Sequence, residues 1–263
     1  MDKRTLFGIL RRKLLYHGGW RWMQYDYHPP GLEDLPPKTE SWFPHVVKCR
    51  SWNPYVPHWG RKDRRWPFIG VLTWEESILV YNYAKSLRKM PFLEIGAWIG
   101  WSTALLAYAG TRLTSIDPIH GETLQGKSCT DSLARVNVAG EFCLINGFSP
   151  AAVKEIASNG KQFSGFLIDG EHAGDAPLKD AQQCAQCAST ECVIILHDAA
   201  QPGVGNALRW LQSNGWDCGV HLTAQCLGVA TRGGVKLLHH TADPQVDWKR
   251  YVERQAPHLR DFL

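Results

Sequence analysis

The chain has 263 residues, of which 44% are hydrophobic and 21% are charged, a composition typical of a globular protein and not of a disordered one. No apolar run approaches the roughly 18–20 residues that cross a bilayer, and the N-terminus lacks the features of a secretory signal. We therefore expect a cytoplasmic protein with reduced cysteines. The net charge of +4 is uneven, because residues 1–66 hold 13 Lys and Arg against six Asp and Glu.

Residues 1–66 read as a basic arm rich in proline and tryptophan. The density of proline argues against long helices or central strands, and the large apolar surface of the tryptophans favours an arm that wraps the core. Its opening segment, Lys3–Tyr16, has the pattern of an amphipathic helix. That helix could make a peripheral membrane contact, but packing on its own domain or on a second subunit is the interpretation we favour. An anionic partner of the basic arm is an alternative to a simply solvated face.

From Thr73 onward the sequence alternates regularly between helix and strand patterns. A capping-box signature at Thr73 and Glu76 begins a helix that runs to about Lys89. The predicted strands are PFLEIG, RLTSID, EFCLING, FSGFLIDG, CVIILHD, WDCGVHLT and CLGVATRGG. The predicted helices between them are Trp101–Tyr108, CTDSLARVNVA, SPAAVKEIASNG, DAPLKDAQQCAQCAS and GVGNALRWLQSNG.

This alternation predicts an α/β fold, a Rossmann-like, doubly wound, mostly parallel seven-stranded sheet covered on both faces. The last two strands have no helix between them, so they must form an antiparallel hairpin at or near the sheet edge. We divide the chain into the arm 1–66, the α/β domain 67–240 and a C-terminal tail 241–263.

Ligands of such sheets bind beyond the carboxyl ends of the strands, and the first two strand ends predict a nucleoside-type cofactor. The first strand runs into Glu94, Gly96 and Gly100, a G-x-x-x-G turn that lacks the G-x-G-x-x-G spacing of a dinucleotide site. The second strand ends at Asp117, where a carboxylate can accept hydrogen bonds from ribose hydroxyls. An acidic turn of this kind suits S-adenosylmethionine better than it suits NAD.

Two further strand ends carry a second group of polar residues. Asp169, Glu171 and His172 follow the fourth strand, and His197-Asp198 ends the fifth. Neighbouring strand ends lie about 5 Å apart, so the two groups should converge. Together they could remove a proton from an acceptor or bind a divalent cation such as Mg²⁺. The alternative interpretation is that they only cap the strand ends and fix the next loops.

Six segments in this order resemble the class I S-adenosylmethionine-dependent methyltransferases, and among them the small-molecule O-methyltransferases of the methyltransferase family 24 type. The segments are FLEIGAWIGWSTALLA, LTSIDP, INGFSP, FLIDGEH, VIILHD and CLGVATRGG. The resemblance covers about residues 68–238. It implies that the cofactor is bound by Glu94, Gly96, Gly100, Asp117, Gly147, Phe148 and Ser149.

The resemblance also bears on the reacting end, where Asp169, His172 and His197 are the candidate catalytic residues. In the metal-dependent O-methyltransferases an acid after the fourth strand and a pair after the fifth bind the metal. Asp169 and Asp198 match those positions, whereas His197 stands where an acid often stands. The candidate metal ligands are therefore Asp169, His197 and Asp198, with Mg²⁺, a softer ion or no ion as the open alternatives.

The sequence thus predicts O-methylation of a small molecule or a sugar hydroxyl by S-adenosylmethionine. A nucleic-acid methyltransferase that uses the basic arm is one alternative, although the chain lacks an Asn/Asp-Pro-Pro-Tyr/Phe motif after the fourth strand. A non-catalytic binding protein with a methyltransferase fold is another. Cys184 and Cys187 could be half of a zinc site, but their segment reads as a helix without a second ligand pair.

Overall fold

The computed structural model describes residues 27–37, 39–42, 46–50, 59–63, 72–136 and 141–263. The predicted helix Lys3–Tyr16 and most of the arm lie outside these residues, so the role expected for the arm stays a prediction. Within the described parts of the chain, no helix has the length and apolar character needed to cross a bilayer.

The helices and strands alternate in the expected order. The helices are α1 Thr39–Trp42, α2 Trp74–Ser86, α3 Trp101–Tyr108, α4 Leu124–Val136, α5 Ala151–Ser158, α6 Ala176–Gln186, α7 Pro202–Ser213, α8 Trp248–Gln255 and a final 3₁₀ helix Pro257–Phe262. The strands are β1 Val46–Arg50, β2 Trp59–Asp63, β3 Pro91–Ile95, β4 Arg112–Asp117, β5 Phe142–Asn146, β6 Phe163–Ile168, β7 Ala188–Leu196, β8 Asp217–His221 and β9 Leu227–Arg232.

Seven of these strands form one sheet in the order β5-β4-β3-β6-β7-β9-β8. The pairs from β5 to β7 are parallel, and β9 runs antiparallel to both β7 and β8. The predicted mostly parallel, seven-stranded sheet with a terminal hairpin is confirmed. The arm also contains a separate antiparallel pair, β1 with β2, which the prolines had led us to expect as irregular chain.

Apolar side chains cover both faces of the sheet because successive strand residues point to opposite sides. Phe92 and Leu167 belong to one core, under α2 and α3, whereas Leu93 and Phe166 belong to the other, under α6 and α7. Burial on both faces explains why these strands read as continuous apolar runs.

Helix α2 ends at Ser86 instead of about Lys89, and helix α4 begins earlier than predicted. Helix α2 begins as predicted, since the Thr73 hydroxyl accepts from Glu76 N at 3.2 Å and Thr73 N donates to the Glu76 carboxylate at 2.9 Å. Helix α4 begins at Leu124, five residues before the predicted start. Gly126 lies inside this first turn. A glycine is needed there because the side chain of any other residue would meet the carbonyl oxygen of Ile119 at 2.4 Å. The predicted end of this helix, beyond Val136, falls outside the described residues.

The C-terminal tail packs on the domain. Helix α8 and the 3₁₀ helix bury Tyr251, Leu259 and Phe262 in the core beside α7. The Tyr251 hydroxyl donates to the carbonyl oxygen of Ala224, in the loop between β8 and β9. The tail therefore packs against the loop between β8 and β9, and Gln225 of this loop lines the cavity at the strand ends.

Candidate active site

A cavity of about 960 Å³ opens at the carboxyl ends of β3 to β7. Most of the residues predicted for the site line it. They are Gly96, Asp117, Gly147, Phe148, Ser149, Asp169, His172, His197 and Asp198. One wall therefore joins the predicted cofactor residues to the predicted reacting residues.

The turn after β3 is held by Asp117 at the end of β4. One Asp117 carboxylate oxygen accepts from the amides of Ala97 at 2.7 Å and Trp98 at 2.9 Å, and the other accepts from Ile119 N at 2.9 Å. Gly96 has φ +86, and a side chain there would lie 2.1 Å from the carbonyl oxygen of Asp169. The absence of a side chain at this glycine thus lets the two halves of the site approach each other.

Glu94 and Gly100 lie behind the wall of the cavity and do not line it. Glu94 is fully buried, and its carboxylate accepts from the hydroxyls of Thr103 and Ser115, both at 2.7 Å. Burial raises the pKa of Glu94 to about 7. These two predicted cofactor residues support the turn from behind in this structure; direct contact with a ligand stays a prediction for them.

The loop after β5 forms the opposite rim. Phe148 is 73% exposed, and the Ser149 hydroxyl donates to the carboxylate of Asp180 in α6 at 3.0 Å. Asp180 is buried, and burial raises its pKa to about 6. The Ser149 side chain is thus fixed at the rim by a residue that the sequence analysis did not single out.

At the ends of β6 and β7 the structure brings together Asp169, His172, His197 and Asp198. Each offers one ligand atom, and these four atoms lie within 4.8 Å of one another. His197 Nδ1 is 2.9 Å from Asp169 Oδ1. The two ring nitrogens of His172 lie 3.3 Å from Asp169 Oδ1 and 3.4 Å from Asp198 Oδ2. The His172 side chain is 24% exposed and that of His197 only 2%.

The charges of this cluster shift the pKa values of its members in opposite directions. Burial alone would lower the pKa of His197, but the charges of Asp169 and Asp198 outweigh it and raise that pKa well above its usual value. Burial would raise the pKa of Asp169, but the charge of His197 and the hydrogen bond from His172 lower it to about 2. The pKa of His172 is raised because its two carboxylate neighbours outweigh its burial.

A residue that the sequence analysis assigned only to a helix cap, Glu76, also reaches this cluster. Its carboxylate lies 3.5 Å from His197 Nε2 and accepts from the Thr223 hydroxyl at 2.7 Å and from Gln225 N at 3.0 Å. The side-chain amide of Gln225 in turn donates to Asp198. No local signal could have shown this, because Glu76 and His197 are 121 positions apart.

Residues 93–199 match the family model described as a methyltransferase domain. A search of curated protein sequences gave no match.

Solved structures share the fold. The O-methyltransferase from Bacillus cereus in complex with SAH has a TM-score of 0.53 at 12% identity, covering 61% of this chain and 82% of that one. A putative O-methyltransferase from Klebsiella pneumoniae has a TM-score of 0.53 at 14% identity, covering 62% and 82%. The O-methyltransferase TomG from Streptomyces achromogenes, in complex with SAM, has a TM-score of 0.50 at 17% identity, covering 62% and 82%. At such identities these likenesses show the fold alone.

Proposed function

We propose that the chain is an S-adenosylmethionine-dependent methyltransferase and that it methylates a hydroxyl oxygen of a small molecule or a sugar. The observation that carries the proposal is one shared cavity, into which both the turn around Asp117 and the cluster around Asp169 open. A donor methyl group bound at the first would be delivered beside acid–base groups at the second. At about 960 Å³ the cavity is at the upper end of the range of about 300–1,000 Å³ for small-molecule sites, which favours room for two ligands.

The cofactor half offers the contacts that an adenosine with a charged sulfur needs. Each oxygen of a carboxylate has two acceptor positions, and three of the four on Asp117 hold the turn, so its Oδ1 can still accept from one ribose hydroxyl. Phe148, exposed at the rim, and Trp98, which is 40% exposed, present ring faces to a flat ligand group.

Methyl transfer to oxygen forms one bond and breaks one. The acceptor oxygen attacks the methyl carbon as the carbon–sulfur bond breaks, and the sulfur keeps the electron pair and becomes neutral. The acceptor proton must leave, and His172 is the base that we assign, since it is the more exposed of the two imidazoles and lies between Asp169 and Asp198. Both ring nitrogens of His197 face carboxylates, so we assign this residue to positioning Asp169.

The donor set at the strand ends also fits a divalent cation, with Asp169, His197 and Asp198 as its ligands. Such an ion would lower the pKa of the acceptor hydroxyl. Mg²⁺ prefers oxygen ligands throughout, and the imidazole of His197 suits a borderline transition ion better. The part played by the protein's own residues is the same in either case: they orient the acceptor and take its proton.

The test is a panel of phenolic, sugar and nucleic-acid acceptors incubated with methyl-labelled S-adenosylmethionine. We expect the label in a methyl group bonded to an ether oxygen of the phenol or sugar product, identified by mass spectrometry. Label in a nucleic acid, or at nitrogen, would overturn the proposal.

The matched cofactor test compares Asp117→Ala with Asp131→Ala, a half-exposed carboxylate of α4 that pairs with Lys127. Loss of one charge-assisted hydrogen bond should weaken S-adenosylmethionine binding on the order of 10- to 100-fold in Asp117→Ala, as measured by calorimetry. Asp131→Ala should bind as the wild type does. Equal binding by both variants would remove Asp117 from the cofactor site.

A further inference from the structure

Glu76 performs two tasks with one carboxylate. Within α2 it closes the capping box, because its carboxylate accepts from Thr73 N at 2.9 Å. Across the fold it accepts from Thr223 and Gln225 of the loop between β8 and β9, and it faces His197. The contact with Thr73 N is the only one that a capping box requires of the Glu76 carboxylate. The other contacts join the start of α2 to the wall of the cavity.

The side chain of Glu76 is fully buried, and three donors hold its carboxylate: Thr73 N, the Thr223 hydroxyl and Gln225 N. A buried carboxylate with three fixed donors has little freedom to rotate. It therefore keeps one oxygen toward the Nε2 side of the His197 ring.

The contact with Glu76 decides which ring nitrogen of His197 faces the cavity. With Nε2 turned toward Glu76, Nδ1 lies 2.9 Å from Asp169 Oδ1 and 3.9 Å from Asp198 Oδ2. Two ligands at about 2.0–2.2 Å from one ion can be at most about 4.4 Å apart, and both distances lie below that limit. An ion bound at Nδ1 takes the place of the proton on that nitrogen, and the remaining N–H at Nε2 donates to the Glu76 carboxylate, as metal-bound histidines commonly do.

We propose that Glu76 is a positioning residue that holds His197 with Nδ1 toward the cavity, so that His197, Asp169 and Asp198 bind a divalent first-row transition ion in preference to Mg²⁺. The inference deepens the proposed function and rests on it for the use of the ion. His172 remains the base beside the ion. The preference follows from the ligand set, since imidazole nitrogen favours transition ions while Mg²⁺ retains oxygen ligands and water.

The test is calorimetric titration of the full-length protein with MnCl₂, ZnCl₂ and MgCl₂, without any methyl acceptor. The wild type should bind Zn²⁺ more tightly than Mg²⁺, by about tenfold or more, with Mn²⁺ between the two. Glu76→Gln keeps the size of the side chain and removes its charge. It should weaken Mn²⁺ and Zn²⁺ binding roughly 10- to 100-fold and leave S-adenosylmethionine affinity unchanged.

Two control variants separate positioning from folding. Thr73→Ala breaks the other half of the capping box, the bond from Glu76 N, and leaves the Glu76 carboxylate beside His197. Glu75→Gln changes the adjacent buried glutamate, which contacts His240 and not the cluster. Both should bind Mn²⁺ as the wild type does.

Three outcomes would overturn the inference: no divalent binding by the wild type, tighter binding of Mg²⁺, or equal loss of binding in Glu76→Gln and Thr73→Ala. If Glu76→Gln fails to fold, His197→Gln, which removes Nδ1 and keeps Glu76, should show the same loss of Mn²⁺ binding, and unchanged binding would overturn the inference. Failure of the proposed function would show differently, as an absence of methyl transfer or of cofactor binding in the wild type.

Discussion

Two adjacent glutamates of α2, Glu75 and Glu76, are both buried, but they belong to networks of opposite electrostatic character. The carboxylate of Glu76 accepts three hydrogen bonds and faces His197. Among the described residues, the hydrogen-bond partner of the Glu75 carboxylate is His240, at 2.9 Å. Both side chains are buried, so the contrast comes from their partners: the hydrogen bond and the charge of His197, with the bonds from Thr73 and Thr223, keep the Glu76 carboxylate ionised.

The residues of the Glu75 network do not line the cavity. His240 stacks edge-on against His221 with ring centroids 5.2 Å apart, and His221 Nε2 lies 2.8 Å from the Tyr83 hydroxyl. Burial, with the charges of Glu76 and Asp243, raises the pKa of Glu75 well above its usual value. Burial lowers the pKa of His240 to about 4 and that of His221 to about 3. The distance between Glu75 and His240 is that of a salt bridge, but these shifts favour a neutral hydrogen bond.

The charged network of Glu76 and the neutral network of Glu75 therefore connect to different parts of the protein. The charged one ends at residues that line the cavity, whereas the neutral one ties α2 to β8 and to the chain around Leu238. Changes in the first should alter chemistry, and changes in the second should alter stability alone. Four variants test that division.

The largest effect should come from Asp169→Asn, at the cavity end of the charged network. The amide keeps the shape of the carboxylate but removes its charge beside His172 and His197. We expect kcat to fall on the order of 10²–10⁴-fold, the usual share of acid–base catalysis, while S-adenosylmethionine still binds. Methyl transfer is followed with labelled cofactor. Wild-type rates in this variant, with or without a chelator, would remove the cluster from the mechanism.

Glu76→Gln should show the electrostatic difference in stability. The pKa of Glu76 is about 2 in the folded protein, whereas a glutamate in an unfolded chain has its ordinary pKa near 4.5. Its charge thus stabilises the fold fully above pH 4.5, and the stabilisation is lost as the pH falls toward 2. The shift corresponds to about 3 kcal/mol. Urea unfolding of wild type and variant should differ most near pH 7 and converge in acid; a difference independent of pH would contradict the charged state.

Tyr83→Phe tests the neutral network. The Tyr83 hydroxyl contacts His221 and accepts from Leu238 N at 3.0 Å, so its removal leaves two buried groups without a partner. We expect a loss of about 1–3 kcal/mol in the free energy of unfolding with an unchanged KM and kcat. A fall in kcat without a loss of stability would place this network in the catalytic machinery.

The smallest effect should be that of Glu75→Gln. The side chain is neutral before and after the change, and an amide can still bond to His240. Neither the rate of methyl transfer nor its pH profile should move. A shifted pH profile would mean that Glu75 is charged in the folded protein, and the contrast with Glu76 would fail.

Much of the fold follows from local patterns. The strand at Arg112–Asp117 and the helix at Trp101–Tyr108 have the predicted bounds, because apolar runs and a closing glycine fix them locally. The predicted start of α4 is wrong because a glycine in the sequence favours a loop. At Gly126 the glycine instead lies inside the helix, where close packing against Ile119 leaves no room for a side chain.

The sequence predicts only those residues of the site that directly follow a strand. Asp117, Asp169 and His197 follow apolar strands, so their meeting at one sheet edge could be expected. Glu76 and Gln225 could not be found in this way, since they come from a helix start and a hairpin loop that only tertiary packing brings to His197 and Asp198. The capping box alone accounts for a glutamate at position 76, so the sequence offers no reason to expect its second contact, with His197.

The central claim is that the tips of the parallel strands hold a sulfonium cofactor next to an acid–imidazole cluster. Equilibrium dialysis of the folded wild-type protein against labelled S-adenosylmethionine tests it most directly. We expect saturable binding of one cofactor molecule per chain, and S-adenosylhomocysteine should displace the labelled cofactor. No uptake by protein with native circular dichroism would contradict it.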